Sequence, residues 1–75
     1  MKKVTIRYCR IWLHNRRHAA RAAEFLENAG IETSTDPGGK VGEFTVWVDN
    51  KLVVKKKLLQ FPDKEQILKA VQTEL

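Results

Sequence analysis

The apolar pattern predicts an α/β chain of the α+β kind, with a four-stranded mixed sheet and two helices in the order β-α-β-β-β-α. Three observations carry that prediction. Apolar residues alternate with polar ones at the start of the chain, recur at helical spacing from about Leu13 to Ala29, and alternate again on both sides of Asp49-Asn50.

Each element follows from its residues. Val4, Ile6 and Tyr8 alternate with Thr5, Arg7 and Cys9, the signature of a half-buried strand. Ala19, Ala22, Ala23, Leu26 and Ala29 then fall on one face of a helix, with Arg17, Arg21, Glu24 and Asn28 on the other. Gly30 ends that helix because it adopts the left-handed cap conformation at little cost. A short strand is expected from Ile31 to Thr35, followed by turn chemistry at Asp36-Pro37-Gly38-Gly39. The linkage of strand, helix and parallel strand is expected to be right-handed. Phe44, Val46 and Val48 share a strand face opposite Thr45 and Trp47; Asp49-Asn50 turns the chain, and Leu52 to Lys57 returns. Phe61-Pro62-Asp63 opens the last helix, with Asp63 and Gln66 spaced as a capping box and Ile67, Leu68, Val71 and Leu75 as its buried stripe.

Seventy-five residues, 43% apolar and 31% charged, read as one soluble globular domain over 1–75. A domain of this size buries only about 60% of the surface its unfolded chain exposes, so its stability margin is thin. One cysteine excludes a disulfide framework and makes a reducing, cytoplasmic setting the expectation. Strand pattern follows Met1-Lys2-Lys3 where a signal peptide would have its apolar run, and no stretch approaches the roughly 18 apolar residues of a membrane span. The net charge of +5 is uneven: Arg7, Arg10, Arg16, Arg17 and Arg21 crowd the Cys9 end, and Lys55-Lys56-Lys57 form a second cluster. Such a field suits a small anion or an acidic partner, or simply a solvated surface.

Cys9 stands where the first strand gives way to the first helix, a place suited to a reactive thiol. In Cys-x-x-Cys chemistry a second thiol three residues on closes a disulfide, but here that position is Trp12, so no dithiol cycle is possible within the chain. A helix N-terminus and neighbouring cations favour the thiolate, and Arg10 adjoins Cys9 while Arg7 is placed on its strand face. The competing reading is a small buried hydrophobe. Trp12 either folds down as core or offers a flat contact surface, and an exposed Trp47 would mark an interaction face. Arg10, Trp12, Arg16 and Arg17 are the candidate anion or partner surface; Gly38 and Gly39 are the candidate loop facing Cys9.

Other chemistry is disfavoured. His14 and His18 share a helix face and Cys9 would be a third ligand, but Arg10, Arg16 and Arg17 repel a divalent cation, so no metal is expected. The aromatic residues Tyr8 and Phe44 fall in the core phase rather than on a stacking platform, which argues against a nucleic-acid role. Neither a hydrolytic triad nor a phosphate-binding glycine loop is present, and no cofactor is implied.

Tyr8-Cys9 after a short strand, the basic helix, the Gly-rich turn, Gly42-Glu43-Phe44-Thr45-Val46, Lys51-Leu52-Val53-Val54-Lys55-Lys56-Lys57 and Phe61-Pro62 before a final helix resemble the selenoprotein W group of the Rdx family. The resemblance covers nearly the whole chain. It implies a thioredoxin-like fold, a Cys-x-x-Cys or Cys-x-x-selenocysteine loop between the first strand and helix, and thiol redox chemistry linked to glutathione or thiol proteins. Cys9 matches the first motif position; Trp12 occupies the second. The expected function is therefore cell redox homeostasis through at most a monothiol, glutathione-type cycle at Cys9. The alternative is a non-catalytic protein-binding module in which Trp12 has replaced redox chemistry by contact.

Overall fold

The computed structural model describes residues 3–56 and 61–75. Strands β1 (Val4–Tyr8), β2 (Thr33–Asp36), β3 (Phe44–Val48) and β4 (Lys51–Lys55) and helices α1 (Leu13–Asn28) and α2 (Lys64–Glu74) follow the expected β-α-β-β-β-α order. The sheet order is β2-β1-β3-β4. β1 runs parallel to β2 and antiparallel to β3, and β3 is antiparallel to β4, which makes the sheet mixed.

Both helices cover one face. Val4, Ile6, Phe44, Val46 and Val48 point from the sheet into a core closed by Ala19, Ala22, Ala23 and Leu26 of α1 and Ile67 and Val71 of α2. The small alanines let α1 lie close to β1 and β2, while the larger side chains come from the strands. The opposite face carries the register pairs Thr5 with Trp47 and Arg7 with Thr45. There the Arg7 guanidinium lies 5.5 Å from the Trp47 ring and the Trp47 Nε1–H donates to Thr45 Oγ1 at 2.9 Å. Trp47 is thus half-buried within this face. No described helix is long and apolar enough to cross a membrane.

The element ends differ from expectation where local hydrogen bonds take over. Gly30, at φ +85°, donates to the Glu27 carbonyl at 2.9 Å, and Ile31 donates to the Leu26 carbonyl at 3.0 Å, the pair of bonds of a Schellman cap. Ile31 is consumed by that cap, so β2 begins at Thr33 rather than Ile31 and runs on to Asp36. Ala29 becomes the exposed C-cap instead of continuing the buried stripe. Leu75 lies beyond Glu74, the last helical residue, and is 53% exposed, so the α2 stripe ends at Val71. At the start of α2, the Asp63 N–H donates to Gln66 Oε1 at 3.0 Å, as the capping-box spacing requires. The β3–β4 register shifts between Val46 and Trp47, leaving Val53 unpaired as a bulge; the return strand is Lys51–Lys55, and the Lys57 end of the expected strand lies outside the described residues. Asp49 turns the hairpin at φ +53°.

The loop after β2 crosses the end of β1 at close range. Gly39 N–H donates to the Tyr8 carbonyl at 3.2 Å, and a Cβ on Gly39 would sit 2.8 Å from that oxygen. At Gly38 a Cβ would meet only the end of the Asp36 carboxylate, at 3.0 Å. Gly39→Ala is therefore expected to lower stability by about 1–3 kcal/mol, the usual range for forcing atoms into packed space, and Gly38→Ala by less. Denaturant unfolding measures both; equal midpoints for the two variants would contradict this account of the crossing.

Candidate thiol site

The site lies at the C-terminal end of β1, where three segments converge. β1 stops at Tyr8, and Cys9 forms an isolated antiparallel bridge with Gly38. Its backbone N–H donates to the Glu43 carbonyl at 2.9 Å. Cys9 is only 1% exposed, so it does not continue the outward face of Arg7. Arg7 instead directs its guanidinium to Asp36, with Nε 3.3 Å from Oδ2 in a half-exposed ion pair.

The turn before β3 supplies the second wall. Glu43 N–H donates to the Lys40 carbonyl at 2.9 Å, Lys40 N–H donates back to Glu43 Oε1 at 2.9 Å, and Thr45 Oγ1–H donates to Glu43 Oε2 at 2.9 Å. Inside that turn Gly42 takes φ +77°, a conformation that favours glycine, and a Cβ there would press to 3.2 Å against the Trp12 ring. The third wall is the entrance to α1. Trp12 is the N-cap residue and makes no side-chain cap, and the first turn carries no acidic residue. Asn15, 1% exposed, reaches from the first turn of the helix to donate Nδ2–H to the Glu43 carbonyl at 3.0 Å.

These walls act on the sulfur. The Cys9 thiol is held below its ordinary pKa of 9.0, chiefly by the backbone N–H of Gly42; burial opposes the shift, and the N–H groups of Trp12 and Ile11 add to it. A thiolate accepting several oriented amides is favoured over the neutral thiol, because each donor stabilises only the charged form strongly. The residue is covered, and it lines a groove of about 530 Å³ together with Arg10, Ile11, Asp36, Pro37, Gly38, Gly39 and Val41.

The expected site residues are partly assembled. Cys9, Arg10, Gly38 and Gly39 share the groove. Trp12 is 47% exposed and sits against Gly42, with Lys56 Nζ 5.8 Å from its ring centre. Arg16 and Arg17 are exposed on α1 and do not line the groove. His18 turns away from the sulfur to stack on Phe61 at 3.9 Å, and the described residues contain no cluster of three possible metal ligands. Sequence reasoning missed Asn15, Gly42 and Glu43. A glycine just ahead of a strand was the one available signal, since the roles of Asn15 and Glu43 depend on contacts 28 residues apart.

Fold and site define a thioredoxin-like domain with one thiol at the exit of its first strand, cradled by backbone amides. The Rdx family model matches residues 3–73, and the chain belongs to the Rdx family. Among solved structures it is similar to a protein from Bordetella parapertussis, with 23% identity, a TM-score of 0.76, and coverage of 99% of this chain and 98% of that one. It is also similar to a selenoprotein W-related protein from Vibrio cholerae, with 21% identity, a TM-score of 0.74, and coverage of 97% and 95%. At these identities the likeness concerns the fold. No curated protein sequence gives a significant match.

His18 yields a pH prediction. Its pKa is lowered from 6.5, first by burial and then by the charges of Arg21 and His14. Above that value both folded and unfolded chains carry the neutral ring and nothing changes; as pH falls below it, the unfolded chain binds the proton first and the fold is weakened. The fold should lose stability on acidification from pH 7 toward about pH 5. His18→Phe, which keeps the ring stack, should lose less over the same interval. Identical pH slopes for the two proteins in denaturant unfolding would exclude this role.

Proposed function

We propose that this chain is a monothiol redox protein that exchanges glutathione through Cys9. The observation that carries the reading is the set of backbone amides around the sulfur, which favours the nucleophilic thiolate without a second cysteine. The Cys9 thiolate attacks the glutathione sulfur of a mixed disulfide on a target protein; the target thiolate leaves and takes up a proton, and Cys9 carries the glutathionyl group. A glutathione thiolate then attacks that new disulfide, releases oxidised glutathione and restores the Cys9 thiolate. Per cycle the target is reduced by one disulfide and one free glutathione is oxidised. Trp12 stands where a resolving thiol would be, so resolution falls to free glutathione.

Arg10 on the groove rim suits the carboxylates of glutathione, and Arg16 and Arg17 add to the positive field that draws an anion to this end. The groove beside Gly38 and Gly39 has room for an extended tripeptide. Because the sulfur is 1% exposed, exchange waits on a small displacement of the surrounding loops. The cycle needs no bound cofactor, and its use of reduced glutathione suits a reducing, cytoplasmic setting.

A second reading rests on a different observation. Ile11 and Val41 line the groove at 73% and 72% exposure, and Trp12 (47%) and Leu13 (51%) extend this apolar collar along the entrance to α1. Such a collar suits an acidic protein partner, either as the carrier of the mixed disulfide or as the sole ligand of a non-catalytic module.

Intact mass during incubation with oxidised glutathione separates the two. The wild-type protein should gain one glutathionyl group, lose it again to reduced glutathione, and leave Cys9→Ser unmodified. A wild-type thiol that stays unmodified under these conditions would remove the redox reading and leave the collar as the functional surface. In that case Trp12→Ala, and not Cys9→Ser, should release a bound acidic protein.

A further inference from the structure

We propose that Asn15 and Glu43 are positioning residues for Cys9: through the Glu43 carbonyl they hold the strand end that carries the thiol, the entrance to α1 and the Lys40–Glu43 turn in one setting. The inference deepens the thiol reading above and rests on it. Neither residue touches a reacting atom. Their action runs through the Glu43 carbonyl, on which the Cys9 N–H and the Asn15 Nδ2–H meet, with Gly42 at φ +77° inside the same turn.

The geometry is that of a clamp with few free parameters. One residue, Glu43, bonds through every polar group it has. Its N–H and Oε1 close the turn on Lys40, its Oε2 accepts from Thr45 on β3, and its carbonyl accepts from both Cys9 N–H and Asn15 Nδ2–H. Thr45 is itself held, because its hydroxyl oxygen accepts the Trp47 Nε1–H at 2.9 Å. The turn is therefore fastened to β1, β3 and α1 at once, and Gly42 is the residue between its fastened ends. Asn15 is the unusual member. Its side chain, 1% exposed on the face of α1 that carries the buried alanines and leucine, donates to the turn. Polar groups are retained in such positions when they specify one arrangement over others.

The charged groups around the sulfur do not offer an equivalent lever. Arg10 and Asp36 flank the groove and Asp36 is engaged with Arg7 and the Gly38 N–H; Lys40 and Glu43 belong to the turn, and Lys56 lies over the Trp12 ring. Glu43 is the case that needs separating, since a carboxylate close to a thiolate would raise its pKa through space, whereas the clamp lowers it through position.

The test is the pH dependence of Cys9 alkylation by iodoacetamide in the full chain, with thermal unfolding of each variant alongside. Asn15→Leu keeps the number and branching of the side-chain heavy atoms, and the Glu43 carbonyl retains its bond from Cys9, so no buried acceptor is orphaned. The alkylation midpoint should rise in Asn15→Leu and in Glu43→Ala. Where the midpoint lies above neutral pH, each unit of rise cuts the thiolate about tenfold while its intrinsic nucleophilicity gains roughly threefold, so alkylation should slow about threefold. Glu43→Gln keeps an oxygen for Lys40 and an amide for Thr45, and should hold the wild-type midpoint. Val71→Ala weakens the core on α2, far from the turn, and should lower the unfolding temperature without moving the midpoint.

An unmoved midpoint in Asn15→Leu, an equal shift in Val71→Ala, or a Glu43→Gln midpoint equal to that of Glu43→Ala would each overturn the clamp. Should Asn15→Leu not fold, the Glu43 pair decides. A raised midpoint in Asn15→Leu together with no glutathione exchange by the wild type would sink the redox reading and leave the clamp standing. A low wild-type midpoint that Asn15→Leu leaves in place would do the reverse.

Discussion

The Glu43 carbonyl is the point on which this end of the molecule depends. It accepts from the Cys9 backbone at 2.9 Å and from the Asn15 side chain at 3.0 Å. Those two donors belong to the end of β1 and the first turn of α1, and the acceptor belongs to the turn leading into β3. Only Cys9 to Trp12 separate strand from helix, a link too short to bend independently of its ends. Fixing the carbonyl therefore fixes the strand exit, the helix entrance and the turn together. The four-stranded sheet provides the rigid frame: β1 is central, paired on both sides, so its exit cannot drift without breaking register with β2 and β3.

From that constraint follows an electrostatic arrangement made of backbone rather than side-chain charge. Arg10 is exposed, and the influence of an exposed guanidinium is weakened by solvent and by salt over about 8 Å at physiological ionic strength. Amides held at the sulfur by a hydrogen-bonded turn do not reorient and are not screened in the same way. They overcome the opposing effect of burial, which by itself would favour the neutral thiol. Trp12 completes the design from the other side. Its indole offers a donor but no acceptor with which to cap α1, and its ring lies against Gly42 with Lys56 Nζ 5.8 Å from the ring centre.

Much of the fold was legible because it rests on periodicity. Val4 and Ile6, Phe44 to Val48, and Ala19 to Leu26 fall into the core as their spacing predicts, since side-chain direction along a strand or helix follows from geometry alone. Gly30 and the Asp63–Gln66 pair were legible for a related reason: caps use residues within a few positions of each other. Errors arose where a local pattern met a longer-range demand. Ile31 continues an apolar run, but its N–H is taken by the helix cap; Ala29 and Leu75 keep helical spacing at positions the helices no longer hold. The site shows the same divide. Cys9, Arg10, Gly38 and Gly39 were named from local chemistry and do meet in one groove. The alternation that placed Cys9 beside Arg7 fails because β1 ends one residue earlier. Asn15 and Glu43 carried no sign of their roles, because a buried amide and a carbonyl 28 residues apart are brought together by tertiary structure.

A thiolate at Cys9 is favoured by the backbone amides of Gly42, Trp12 and Ile11. Following the amide proton and nitrogen resonances of these three residues by NMR while Cys9 titrates tests it most directly. All three should move together, Gly42 most, with one shared midpoint below the ordinary thiol value and with no corresponding change in Cys9→Ser. Resonances that stay still through the thiol titration, or that move with a midpoint at or above that value, would contradict it.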